Sequence, residues 1–87
     1  MTKKQYDIYI NTLTDDCESA FFYKGEKYFI HLEENGWNID RVLKSDKEKN
    51  EFVFIQCFSS IEELVSEKIL DNHSLNEVYP EIDFADF

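Results

Sequence analysis

The sequence predicts an α+β domain: an antiparallel sheet of three to four strands, an N-terminal helix, and a C-terminal helix followed by a short helical turn. Three observations carry this. Aromatic and β-branched residues dominate from Ala20 to Phe58 and are broken by the glycine-bearing stretches Lys24-Gly25 and Asn35-Gly36. Apolar residues fall at helical spacing on either side of that tract. Ser or Thr stands three residues before Glu or Gln at Thr2, Ser60 and Ser74, a pattern that satisfies orphan amides where helices begin.

The first segment is open to two readings. Tyr6, Ile8 and Ile10 alternate as in a strand, whereas Tyr6, Tyr9, Ile10 and Leu13 follow helical spacing. A capping box between Thr2 and Gln5 favours a helix from Lys3 to Leu13. Thr14 to Ser19 lacks an apolar pattern and carries Asp15 and Asp16, so it reads as a connector. Phe21-Phe22-Tyr23 and Tyr28-Phe29-Ile30-His31-Leu32 then form a hairpin about Lys24 to Lys27, with Gly25 supplying the positive φ of a tight turn. Asn35-Gly36 signals a second hairpin into a strand from Trp37 to Leu43. Residues 44–50 form a loop of mixed charge, and Glu51 to Phe58 is a fourth strand. Both faces of that strand are apolar, which predicts a central strand or one covered on both sides. Ser60 with Glu63, or Ser59 with Glu62 in a shifted register, opens a helix running to Leu70 with Ile61, Leu64, Val65 and Ile69 on one face. Asp71-Asn72 ends it, Ser74 and Glu77 start a short turn, and Pro80 limits that turn. Acid and apolar residues alternate from Glu81 to Phe87.

The order of these elements resembles a group of small bacterial α+β proteins, some encoded near toxin or mobile-element genes. The likeness lies in the capped first helix, the block Phe22-Tyr23-Lys24-Gly25-Glu26-Lys27-Tyr28-Phe29-Ile30, the Asn35-Gly36-Trp37 turn, and the segment from Ser60 to Ile82. It implies the fold and transfers no catalytic residue. Asn72 stands where many of those proteins have Gly.

An 87-residue chain accommodates one small core and hence one domain, residues 1–87. Aromatic residues make up 16% of it, far too many for a disordered acidic tail. Two cysteines, Cys17 and Cys57, are too few for a disulfide framework, and reduced thiols fit a cytoplasmic setting. The uncharged runs fall short of a membrane span, so neither secretion nor membrane insertion is expected.

Catalytic and ligand-binding patterns are sparse. Cys17, Cys57, His31 and His73 lack zinc-site spacing, and Gly25 and Gly36 are too few for a phosphate loop, so no metal or cofactor is expected. The serines have capping roles and no histidine is placed beside them, so no enzyme activity is expected. Paired acids such as Glu62-Glu63 sit in a first helical turn, where the macrodipole favours them by roughly 0.3–1 kcal/mol each. Lys24, Lys27, Arg41, Lys44, Lys47 and Lys49 cluster around the sheet loops, but a net charge of −10 opposes nucleic-acid binding.

The acidic excess is the feature that points to function. Residues 51–87 hold nine of the nineteen acids and one base, Lys68. Within them Tyr79 and Phe84 sit among Glu77, Glu81, Asp83 and Asp86, the mixture of aromatic anchor and charged rim found in interfaces. The expected partner is therefore a basic protein, a toxin or nuclease, with Glu77, Tyr79, Glu81, Asp83, Phe84 and Asp86 as the contact set and no nucleic acid or membrane. An immunity protein or antitoxin-like inhibitor leads this class. A phage-encoded DNA mimic acting on a defence nuclease and a plain structural domain are the alternatives. A monomer and a dimer are both compatible with the sequence.

Overall fold

The computed structural model describes residues 1–45 and 50–85, with side chains over residues 1–43 and 51–83. Its elements follow in the order α1 (Lys3–Asp16), β1 (Glu18–Tyr23), β2 (Glu26–Glu33), β3 (Gly36–Ser45), β4 (Asn50–Phe58), α2 (Ile61–Ser66), α3 (Leu75–Val78), a 3-10 turn (Tyr79–Glu81) and β5 (Ile82–Ala85). The five strands form one antiparallel sheet ordered β4-β3-β2-β1-β5. The α+β architecture is as the sequence predicts, with one strand more.

The start of α1 is fixed by its capping box. The Gln5 amide donates to Thr2 Oγ1 at 3.1 Å, and the Thr2 amide donates to Gln5 Oε1 at 2.8 Å. Tyr6, Tyr9 and Leu13 are buried while Ile8 faces solvent, which resolves the two spacings in favour of the helix. The helix runs past Leu13 through Asp16, and the expected connector shrinks to Cys17. That residue adopts φ 64° and its amide donates to Leu13 O at 2.9 Å. A left-handed residue closes the helix in place of the usual glycine, so no composition signal marks the end.

Lys24 (φ 50°) and Gly25 (φ 78°) are the two left-handed residues of the β1–β2 turn. In the second hairpin the loop residues are Glu34 and Asn35, and Gly36 already pairs with Glu33 as the first residue of β3. Gly36 is needed there for room: a Cβ on it would lie 2.4 Å from Phe58 O on β4. The β3–β4 ladder carries register shifts at Ile39/Asp40 and Val42/Lys44, each inserting one residue, Ile55 in β4 and Leu43 in β3.

The sheet presents one face to the helices. Tyr6 and Leu13 of α1 pack with Phe21, Tyr23, Ile30, Trp37, Ile39 and Phe58 of the sheet and with Ile61, Leu64, Val65, Leu75 and Val78 of α2 and α3. Each such side chain contributes roughly 1.5–3 kcal/mol when fully buried. α2 starts in the Ser60 register, with the Glu63 amide donating to Ser60 Oγ at 3.2 Å. It stops at Ser66, four residues before the expected end. Leu70 and His73 instead bridge across Asp71 (φ 51°) and Asn72 (φ 66°), a tight turn that draws Leu70 into the core. The Ser74–Glu77 capping box forms as expected.

One expectation about position is overturned. β4 is an outer strand of the sheet, neither central nor covered on both sides. The alternating tail, to which the sequence pattern assigns no element, pairs through Ala85 with β1 as β5, matching Tyr23 with Ile82, Phe22 with Asp83, Phe21 with Phe84 and Ala20 with Ala85. An alternating pattern specifies a strand but not its neighbours, and here β5 takes the free side of β1, leaving β4 at the rim.

Candidate functional site

Strand register places a second set of side chains on the sheet face away from the helices. One row crosses the sheet through Asp83 on β5, Phe22 on β1, Lys27 on β2, Val42 on β3 and Phe52 on β4. The next runs through Ala20, Phe29, Asp40 and Phe54, and a third through Glu18, His31, Asn38 and Cys57. The core cluster contains none of these residues. Ala20, Asn38 and Val42 of these rows are buried, but Phe22 is 40% exposed, Phe52 42% and Phe54 59%, values that mark an open aromatic surface on the side of the sheet that the described helices leave uncovered.

Ring contacts organise this surface. Lys27 Nζ lies 5.9 Å from the Phe22 ring centroid, Phe29 stacks on His31 at 4.9 Å, and Phe29 meets Phe52 at 5.9 Å. At its centre His31 Nδ1 is 2.8 Å from Glu33 Oε1 and Nε2 is 2.8 Å from Asp40 Oδ2. Ionised carboxylates only accept, so both contacts are satisfied together when both ring nitrogens carry protons. Burial pulls the imidazole pKa down, yet the hydrogen bonds and charges of Glu33 and Asp40 outweigh it and raise the pKa above its ordinary value. The face thus holds an imidazole between two carboxylates and against a ring, a setting that favours its protonated form.

The acidic residues singled out from the sequence divide into three groups. Glu81 and Asp83 are exposed, and Asp83 borders the aromatic face beside Phe22. Glu77 is exposed but already serves the fold: its Oε1 accepts from the Ser74 amide at 3.1 Å, and this bond holds its carboxyl below the usual range. Tyr79 is half-buried, with its ring stacked on Tyr6 at 4.8 Å and near-parallel at 13°, so part of the expected anchor packs against the protein's own helix. Phe84 occupies the ladder position opposite Phe21. Asp86 lies outside the described residues. The amino group of Met1 donates to Tyr79 O at 3.1 Å and Ile82 O at 3.0 Å, fixing the segment that carries Glu81 and Asp83 against the start of α1.

Sequence reasoning missed Phe22, Phe29, Phe52 and Phe54 as surface residues. Phe52 and Phe54 alternate with Val53 and Ile55, so β4 is apolar on both faces, and its sequence holds no signal for which face the helices cover. Of the basic residues near the loops, Arg41 is engaged by Glu26 at 3.1 Å and Lys24 lies 4.0 Å from Asp71. The described residues enclose no pocket, and no helix among them is long and apolar enough to cross a membrane. Comparison with protein-family models, curated proteins and solved structures returned no match.

Proposed function

We propose that this chain is an acidic protein-binding module that covers a basic face of another protein, acting as an immunity protein or antitoxin-like inhibitor of a nuclease-type toxin. The observation that carries this reading is the open aromatic face bordered by carboxylates. Phe22, Phe29, Phe52 and Phe54 offer apolar and π surface, while Glu18 and Asp83 lie in the rows of this face, in which His31 and Lys27 are the bases. Glu33 and Asp40 are already engaged by His31. A cationic protein surface finds both of its requirements there. Carboxylates stand in for substrate phosphates at the toxin's basic site, and rings take the methylene stems and guanidinium planes of its lysines and arginines. The charge of −10 speeds the encounter through long-range attraction.

Affinity purification from the native cell supplies the partner, and association kinetics with that purified partner test the reading. Glu77→Gln keeps the capping geometry, so Glu18→Gln and Asp83→Asn on the aromatic face, combined with Glu77→Gln, Glu81→Gln and Asp86→Asn, remove five charges without removing a cap. Association is expected to slow in this variant and, for the unaltered chain, to slow with added salt. Rates insensitive to both changes refute the proposal.

A further inference from the structure

We infer that β4 is a self-pairing edge along which a second copy of this chain docks antiparallel, extending the sheet to ten strands. The inference goes beyond the proposed inhibitor role; it shares Phe52 and Phe54 with that aromatic face but is argued from the position of β4 at the sheet edge and the distribution of charge along it.

No strand lies outside β4 among the described residues, so one side of its backbone is open to a further ladder. Its central exposed side chains are apolar on both faces, Phe52 and Phe54 on the open face and Val53, 46% exposed, on the helix face, with Glu51 and Gln56 as the exposed polar residues at either end. The edge lacks the lysines and prolines that usually block such strands. Glu51 is the one charged residue from Asn50 to Phe58 in a chain with 32% charged residues. That contrast selects the occupant. A strongly anionic copy is repelled from most of the surface of its twin and can approach closely only along a strip where charge is absent, whereas a cationic partner gains most where carboxylates gather.

The strip is also self-complementary. In a twofold antiparallel pairing centred on Val53, Val53 faces the second copy's Val53, and Phe52 faces the second copy's Phe54 twice over. Aromatic cross-strand pairs of this kind stabilise sheets by roughly 0.2–1 kcal/mol each. The two Glu51 residues then lie four positions apart along the ladder, about 13 Å at strand rise, beyond the Debye length of about 8 Å at physiological salt. The extra residue Ile55 bends β4 beyond this stretch and confines the pairing to about five residues. Such an interface is smaller than the ~800 Å² per partner of standard complexes, so the dimer is weak and depends on concentration.

Sedimentation velocity from about 10 μM to about 1 mM, at low and high salt, is the test, in the range where small interfaces assemble. The wild-type chain is expected to pass from one copy to two as concentration rises, and to do so at lower concentration in high salt, because salt screens the repulsion between copies. Phe54→Lys and Val53→Lys, checked for fold by circular dichroism, are expected to stay monomeric throughout. A wild-type chain that remains monomeric, or variants that still dimerise, overturns the inference. Amide exchange of the wild-type chain gives an answer that needs no variant: β4 amides gain protection with concentration, and unchanged protection also overturns it. The salt response separates this surface from inhibitor binding, which weakens as salt rises.

Discussion

Replacing Gly36 with alanine tests the close approach of β3 to the β4 backbone. Gly36 has φ 126°, a region open in practice only to glycine, and the added methyl carbon would sit 2.4 Å from Phe58 O and 3.4 Å from Cys57 Sγ. The backbone conformation alone costs about 1–3 kcal/mol for alanine. The contact is with main chain, which cannot rotate aside, so β3 must move away from β4 and lose ladder hydrogen bonds at about 1 kcal/mol each. A combined loss of about 3–4 kcal/mol follows, a large part of the roughly 4–13 kcal/mol available to a domain of this size. Gly25→Ala provides the internal control. Gly25 also has positive φ, at 78°, but a Cβ there meets nothing within 4 Å, so only a left-handed penalty of about 1–2 kcal/mol applies. Urea and thermal unfolding measure both losses; relative to the unaltered chain, the melting temperature of Gly36→Ala is expected to be lower by roughly 12–30 °C and that of Gly25→Ala by roughly 4–16 °C. Equal losses at the two glycines, or a loss below about 1 kcal/mol at Gly36, would refute the steric reasoning.

Two further outcomes follow from the described contacts. The His31 imidazole has a raised pKa, so the stability it contributes is present in full below the unfolded value of about 6.5 and is lost as pH rises through the folded value. Urea midpoints of the wild-type chain are therefore expected to fall above pH 6.5 relative to those of His31→Gln, and a ring pKa at or below 6.5 by NMR titration would contradict the two-carboxylate geometry. Tyr79→Ala is expected to lower unfolding free energy by about 1–3 kcal/mol, through the lost stack on Tyr6 and its burial; unchanged stability would instead mark Tyr79 as a surface residue available to a partner.

Kinship with the small bacterial proteins that the hairpin and capping blocks resemble is a proposal, whereas the local devices themselves form in the structure. Thr2 with Gln5 and Ser74 with Glu77 close the capping boxes that their spacing predicts, because a cap needs only residues within one turn of each other. Lys24-Gly25 turns where glycine allows it, for the same reason. The limits of α1 and α2 were not legible in the same way. Cys17, Asp71 and Asn72 adopt left-handed conformations that their identities permit but do not demand, and the core draws Leu70 in at the cost of the last helical turn.

The candidate site shows the same division. The acidic character of the C-terminal segment and the aromatic content of the strands are properties of composition, and the sequence by itself determined them, together with the α+β class and the hairpin order from β1 to β4. Which rings meet solvent was decided only by tertiary structure. Alternation assigns residues to two faces of a strand, but three helical elements suffice to cover one face of this sheet, and no local rule says which. Once α1, α2 and α3 pack over Phe21, Ile30 and Ile39, the opposite set of Phe22, Phe29, Phe52 and Phe54 is left outside, and β5 joining β1 leaves β4 at the rim. Long-range pairing makes that choice, because it minimises exposed apolar surface over the whole chain and not within any one segment.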